Sequence, residues 1–255
     1  MIQLGERQKL VVVKTVDFGV YVAPAAGEAE EKVLLPKKQV PEGTKIGDEL
    51  EVFIYRDSND RLIATTNEAK LSLGEVALLK VSQVAAIGAF LDWGLEKDLF
   101  LPFREQTKQL KEGDECLVAL YIDKSDRLCA TMKVYTYLST ESGYKKDDRI
   151  EGHVYEISKN FGAFVAVDDK YSGLIPMKEI YGNIQVGDLI SARVTGVKED
   201  GKLDLSIREK SYLQIGKDVI RILDILEKYD GVLPFNDNFL ESNISEKIKP
   251  RQWEK

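Results

Sequence analysis

Aromatic side chains recur at one place in three similar stretches of the chain. In each stretch apolar residues alternate along a short segment, and the other alternating set includes one ring: Tyr21, Phe90 or Phe164. Because successive side chains of a strand point to opposite faces, these rings are predicted to face outward. An outward ring can stack on a nucleic-acid base, which contributes ~1–3 kcal/mol per base. The residues predicted to face inward are Val20 and Val22, Ala89 and Leu91, and Ala163 and Val165.

A second ring lies three residues earlier in the first and third stretches, at Phe18 and Phe161. That spacing does not put two side chains on the same face of a flat strand. The glycine between the rings predicts a bulge that turns both of them the same way. The second stretch has Ile87 at this place, so its binding is expected to be weaker unless the nearby Trp93 compensates.

The three stretches are copies of one pattern, with about 65 residues per copy. A Gly-Asp pair precedes an alternating apolar segment at residues 47–48, 113–114 and 187–188, and Leu-Pro or Ile-Pro stands upstream at 35–36, 101–102 and 175–176. Short alternating segments joined by Gly and Asp turns are typical of small barrels, whose closure removes exposed strand edges. The pattern predicts a mainly β protein with three tandem, five-stranded, antiparallel barrels of the OB type, closed or nearly closed.

Several segments of the third copy resemble the S1 RNA-binding domain, a variant of the OB fold. They are residues 161–165 (Phe-Gly-Ala-Phe-Val), 173–176 (Gly-Leu-Ile-Pro), 186–188 (Val-Gly-Asp) and 203–208 (Leu-Asp-Leu-Ser-Ile-Arg). In the first two copies, residues 33–41 and 91–98 resemble a narrower group, the conserved virulence factor B family of bacterial regulators. This resemblance covers residues 1–235 and implies tandem S1-like domains followed by a winged-helix domain.

The resemblance implies roles for individual residues. In S1 domains the matching pair of aromatic residues stacks on RNA, which implies that role for Phe161 and Phe164, and for Phe18 and Tyr21 in the first copy. S1 domains often place a basic residue at the end of the last strand, where Arg208 stands here. S1 domains also commonly carry a His on the third strand beside these rings. Here that place is filled by proline, so one RNA contact is expected to be lost in every copy: Pro36, Pro102 and Pro176.

Basic residues near these rings are candidates for contacts with the phosphate backbone. In the third copy they are Lys159, Arg193 and Arg208. For any single one of them, a solvated charge or a surface ion pair is the competing interpretation. Further candidates in the first two copies are Lys37, Lys38, Arg61 and Arg127.

Composition narrows the classes of function. The net charge of −7 argues against tight, non-specific coating of nucleic acid, which depends on many cations neutralising phosphates. Cys116 and Cys129 lie in apolar segments and are predicted to be buried free thiols. His153, the one histidine, is predicted to be a solvated surface side chain, and no catalytic or metal-binding arrangement can be built around it.

The predicted domains are three barrels, a connector and a tail. The barrels span 1–66, 67–134 and 148–210, with a linker at 135–147 and a helical segment at 211–255 that resembles the start of a winged-helix domain. The link at 67–73 is too short for independent motion of the first two barrels, whereas the connector at 134–147 is expected to let the third barrel move. An apolar stripe over 216–229 predicts one amphipathic helix.

Three classes of function stay open at this point. The first is a cytoplasmic, RNA-binding regulator that holds single-stranded RNA on outward barrel faces, with control of virulence gene expression implied by the family. The second is a protein-interaction scaffold with little RNA binding, in which a ring such as Tyr21, Phe90 or Phe164 packs against a neighbouring barrel. An enzyme is disfavoured, because the carboxylates cluster in turns. No cofactor and no membrane are expected, and the C-terminal helix is a candidate for a protein partner or for self-association.

Overall fold

The computed structural model describes residues 1–24, 31–180 and 183–208. The predicted amphipathic helix and the winged-helix resemblance of the tail lie outside these residues. Within the described residues, fifteen strands form three closed barrels of five strands each, which confirms the predicted fold class. No helix in this part of the chain is long and apolar enough to cross a membrane.

The strands follow one order in every barrel. The first barrel contains β1 (Arg7–Val16), β2 (Gly19–Ala23), β3 (Val33–Pro36), β4 (Glu49–Arg56) and β5 (Leu62–Thr65). The second contains β6 (Val76–Ala85), β7 (Gly88–Asp92), β8 (Leu99–Pro102), β9 (Glu115–Ile122) and β10 (Leu128–Thr131). The third contains β11 (Arg149–Ser158), β12 (Gly162–Val167), β13 (Tyr171–Pro176), β14 (Leu189–Val197) and β15 (Leu203–Ser206). Single 3-10 turns span Lys37–Gln39, Phe103–Glu105, Val134–Tyr137 and Met177–Glu179.

The barrels are not antiparallel throughout. In the first, the order β1-β2-β3-β5-β4 closes through pairing of β4 with β1, and β3 runs parallel to β5 with Leu34 opposite Ile63. The other two barrels contain the same parallel pair, at Phe100 and Cys129 and at Leu174 and Asp204. The expectation of a wholly antiparallel barrel was wrong at this pair, because the fifth strand closes the gap beside the third and must run in the same direction.

The six side chains predicted to face inward are all buried. Each barrel interior is apolar, and the largest fully buried side chains include Leu10, Leu35, Leu91, Leu101 and Leu203. Burial of a Leu side chain contributes about 1.5–3 kcal/mol, so these interiors supply most of the favourable free energy of folding. Because side chains alternate along each strand, Tyr21, Phe90 and Phe164 then lie on the outer face of their barrels.

The repeated Gly-Asp pair has a structural cause. Gly47 adopts a φ of 96° and donates its amide hydrogen to the carbonyl of Val12 at 2.8 Å. The Asp48 carboxylate accepts a hydrogen bond from the amide of Lys45 at 2.7 Å, which closes the turn before β4. The same two hydrogen bonds recur at residues 113–114 and 187–188. The Asp residues of this motif therefore stabilise the turn by accepting hydrogen bonds from backbone amides.

A second repeated contact joins the second and third strands of each barrel. Gly162 lies opposite Pro176, with a φ of 122°, and a Cβ at this position would come within 2.0 Å of the Ile175 carbonyl oxygen. Gly19 and Gly88 have the same close approach, with distances of 2.1 and 2.3 Å to the carbonyl oxygens of Leu35 and Leu101. Only glycine lets these strands pair so closely.

The first and second barrels share an apolar contact. Trp93 follows β7 and is 2% exposed; its ring makes edge contacts with Phe53 at 5.7 Å and Tyr55 at 6.5 Å, both on β4. Its Nε1–H donates to the Lys97 carbonyl at 2.6 Å. The first two barrels are therefore packed against each other through this ring.

The connector between the second and third barrels is packed rather than free. Val134 and Leu138 are buried in an apolar cluster that includes Leu117 of β9 and Tyr155 of β11. The Ser139 amide donates to the Lys170 carbonyl at 2.8 Å, and the Ser172 amide donates to Ser139 at 3.0 Å. The connector predicted to let the third barrel move is therefore packed by its apolar residues against both barrels and hydrogen-bonded through its backbone to the third.

Candidate nucleic-acid interface

The two rings of the third barrel lie side by side on its outer surface. Phe161 stands in the turn before β12 and is 63% exposed, while Phe164 is half-buried on β12. Their ring centroids are 6.5 Å apart. The predicted bulge was misplaced: the register shift lies in the partner strand β11, between Val154 and Glu156. Phe161 reaches the same face because it precedes β12, where the chain still turns.

Phe164 also contacts two other rings, one on β11 and one in the connector. Its ring lies 6.1 Å from that of Tyr155, the extra residue of the β11 bulge, and 6.5 Å from that of Tyr135 in the connector. Tyr155 is buried, burial raises its pKa, and among the residues that the structure describes none forms a hydrogen bond with its hydroxyl. Phe164 is thus backed by a domain contact, which fixes the ring, and it remains partly exposed.

The first barrel presents a more open version of this surface. Phe18 is exposed, and the Lys37 amide donates to its carbonyl at 2.9 Å. Tyr21 is half-buried, with the Lys32 ammonium 5.5 Å from its ring centroid. Within the described ranges, the Phe18 and Tyr21 rings make no contact with each other, in contrast to the pair in the third barrel.

The aromatic surface of the second barrel differs from those of the first and third barrels. Phe90 packs on Phe100 of β8 at 5.4 Å, and Ile87 is exposed. Trp93 does not compensate for the missing ring, because it is buried against the first barrel. The exposed aromatic residue is instead Phe103, 50% exposed directly after Pro102, which lies opposite Gly88. Sequence alternation missed Phe103 because it follows the strand end; its place right after the repeated Leu-Pro was the available signal.

Several of the basic candidates are held in ion pairs. Lys159 is exposed in the turn that leads to Phe161. Arg193 on β14 forms an ion pair with Asp147 at 2.8 Å, and Arg208, two residues beyond β15, is half-buried. In the first two barrels Lys37 is exposed, whereas the others are in ion pairs: Lys38 with Glu96, Arg61 with Asp57, and Arg127 with Asp60.

His153 is not the solvated surface side chain that was predicted. It is 15% exposed, and its Nδ1 lies 2.7 Å from an Asp169 carboxylate oxygen. Antiparallel pairing of β11 with β12 brings the turn that carries Asp169 beside His153, a contact that strand alternation does not reveal. The residue is held by this polar contact and lies outside the group of rings.

No catalytic group is apparent in the described ranges. Cys116 and Cys129 are buried free thiols, as predicted, and burial raises their pKa values to about 12 and about 11. Both are therefore protonated at neutral pH and unreactive. Among the described residues, no group of three or more His, Cys, Asp or Glu side chains could hold a metal ion.

Comparison with known proteins agrees with the fold of the three barrels. The S1 domain family matches residues 4–67 and 73–133, and the S1 RNA binding domain family matches residues 144–208. Conserved virulence factor B of Staphylococcus saprophyticus is 26% identical over 231 residues, which cover 86% of this chain and 77% of that protein. The chain belongs to the conserved virulence factor B family of tandem S1-domain proteins. This membership supports a nucleic-acid-binding, regulatory role and indicates a binding protein rather than an enzyme.

Two further matches extend over almost the whole of this chain. Uncharacterized protein YitL of Bacillus subtilis is 27% identical over 255 residues, covering 96% of this chain and 83% of that protein. A crystal structure of a multidomain protein with nucleic acid binding domains from Streptococcus pneumoniae aligns with a TM-score of 0.51 at 22% identity, covering 95% of this chain and 88% of that one. At that identity the structural match supports the fold alone.

Proposed function

We propose that this protein is an RNA-binding regulator that holds single-stranded RNA on the outward aromatic faces of its barrels and acts after transcription, in the cytoplasm. The third barrel contributes most. The observation that carries the proposal is the pair Phe161 and Phe164, two adjoining rings of which one is largely exposed and the other is held from behind. The protein performs no chemistry of its own and needs no cofactor.

The physical character of the surface favours unpaired RNA. A base in a duplex cannot reach a ring on a barrel wall, whereas a splayed base in a loop or a single strand can stack on it. The net charge of −7 provides little general attraction for phosphates, so stacking supplies most of the affinity. Lys159, exposed two residues before Phe161, is a candidate for a phosphate contact. Phe18, Tyr21, Phe90 and Phe103 offer weaker platforms on the other barrels.

The direct test is a single substitution at the exposed ring. Phe161→Ala is expected to lower the affinity for short single-stranded RNA about tenfold, because one base loses its stacking partner. Fluorescence anisotropy of labelled, unstructured RNA measures the change in the full-length protein. Ile87→Ala is the matched control, since Ile87 occupies the equivalent position in the second barrel, is equally exposed and lacks a ring.

The control is expected to bind like the wild type. If Phe161→Ala also binds like the wild type, or if neither protein binds RNA, the scaffold alternative is favoured. In that case the rings would serve contacts with a protein partner. Circular dichroism before each titration shows that the variant is folded, which is expected because the Phe161 side chain is mostly in solvent.

Salt dependence provides an independent prediction. For single strands, the logarithm of the binding constant falls by about 0.7 per phosphate contact for each unit of the logarithm of salt concentration. With few unpaired cations beside the rings, we expect a shallow slope of roughly −1 to −2. Lys159→Gln is expected to reduce that slope by about 0.7, with little change at high salt. A slope steeper than about −4 would instead indicate binding along a broad basic surface.

A further inference from the structure

The connector is fixed on the third barrel close to its rings. The backbone of Ser139 pairs with both Lys170 and Ser172, on either side of the start of β13. Thr140 lies against the turn before β15, where a Cβ on Gly201 would come within 2.1 Å of the Thr140 carbonyl oxygen. This segment is therefore ordered before any ligand binds, so a side chain on it loses little entropy when it contacts one.

Tyr135 is the connector side chain that reaches the aromatic face. Its ring contacts Phe164 edge-on, with centroids 6.5 Å apart and an interplanar angle of 83°. The Phe161–Phe164 centroid distance is also 6.5 Å, so Phe164 is the middle ring of three. Tyr135 is 47% exposed, whereas the central ring is more buried. The two outer rings are thus the accessible ones.

A positive charge accompanies this third ring. The Lys202 ammonium lies 5.7 Å from the Tyr135 ring centroid and 2.6 Å from an Asp200 carboxylate oxygen. Lys202 belongs to the turn before β15, so the barrel itself places this charge beside the connector. A ring next to a cation is the combination that single-strand binding surfaces use for a base and its phosphate.

Packing of the connector does not require Tyr135. Val134 and Leu138 are buried in the contact between barrels, and Tyr137 packs against the same cluster. Tyr135 is not a member of that cluster, and about half of its surface is in solvent. A purely structural tyrosine at this place would be expected to turn its ring into the cluster, as Tyr137 does.

We propose that Tyr135 is a third stacking residue of the third barrel, binding the base that follows the one on Phe161 and Phe164, with Lys202 beside the adjoining phosphate. This inference rests on the proposed RNA-binding function. It makes the connector part of the binding surface, so the barrel and connector together hold at least one more nucleotide than the barrel alone.

The test is a titration of oligouridylates of four to ten nucleotides with full-length variants. Tyr135→Ala and Tyr135→Leu are expected to bind the longer oligomers about five- to tenfold more weakly, and to reach their maximal affinity about one nucleotide earlier than the wild type. Tyr135→Phe is expected to restore wild-type binding, because the ring is kept. Tyr135→Leu keeps an apolar contact with Phe164, so it guards against a loss caused by misfolding.

Two controls separate the possible outcomes. Tyr137→Ala disturbs connector packing and is expected to lower the unfolding temperature without shortening the bound segment. If Phe161→Ala weakens binding but Tyr135→Ala and Tyr135→Leu bind like the wild type at every length, the inference about Tyr135 is wrong and the proposed function stands. If Phe161→Ala has no effect either, the proposed function itself fails.

Discussion

Replacement of Gly162 by alanine is expected to destabilise the third barrel by roughly 2–6 kcal/mol and to abolish its RNA binding. The φ of 122° is strained for any residue with a Cβ, and the added methyl would lie 2.0 Å from the Ile175 carbonyl oxygen. The backbone of β13 would have to move away from β12, which carries Phe164. Urea unfolding followed by circular dichroism measures the loss in the full-length protein.

Gly196→Ala is the matched control for this prediction. Gly196 lies on β14 of the same barrel, and a Cβ there would meet no heavy atom of the described residues within 4 Å. Alanine is therefore expected to leave the free energy of unfolding unchanged within about 0.5 kcal/mol, and RNA affinity with it. Equal stability of the two variants would show that β12 and β13 do not approach as closely as described.

Removal of the Trp93 ring has the second largest expected effect. Trp93→Ala is predicted to lower the free energy of unfolding of the first two barrels by about 3–5 kcal/mol, because a fully buried ring leaves a cavity. The variant loses edge contacts with Phe53 and Tyr55 of the first barrel as well as the hydrogen bond to the Lys97 carbonyl. Differential scanning calorimetry should show a lower transition temperature for these barrels.

Phe103→Ala provides the comparison, because Phe103 is an aromatic residue of the same barrel but is half exposed. It is expected to cost less than about 1 kcal/mol of stability. For RNA binding the order should be reversed: Phe103→Ala should lower the affinity more than Trp93→Ala, because Phe103 is a candidate stacking platform and Trp93 is buried. A Trp93→Ala protein as stable as the wild type would contradict the packed contact between the first two barrels.

Much of the fold could be predicted from local sequence. The Gly-Asp turns, the Leu-Pro strand ends and the alternating segments are each requirements of a few neighbouring residues, and every copy meets them independently. Asp48 illustrates this, since its carboxylate closes a turn by accepting a hydrogen bond from the amide of Lys45. The parallel pairing of β3 with β5 was not predicted, because it depends on how the last strand closes the barrel.

The candidate site was predicted only in part. Alternation correctly placed Phe164 on the outside, and its contact with Phe161 followed from the turn before β12. The positions of Trp93, Phe103 and Tyr135 were not accessible in this way. Each of them lies outside a strand, where no alternation exists to indicate a direction.

By itself, then, the sequence determined three barrels of one design, their apolar interiors and the outward direction of one ring in each. The tertiary structure alone decided which outward groups remain free. Barrel-to-barrel packing buried Trp93, braced Phe164 and placed Tyr135 beside it. The physical reason is that alternation fixes the face of a strand, whereas solvent exposure depends on what packs against that face from residues far away in the chain.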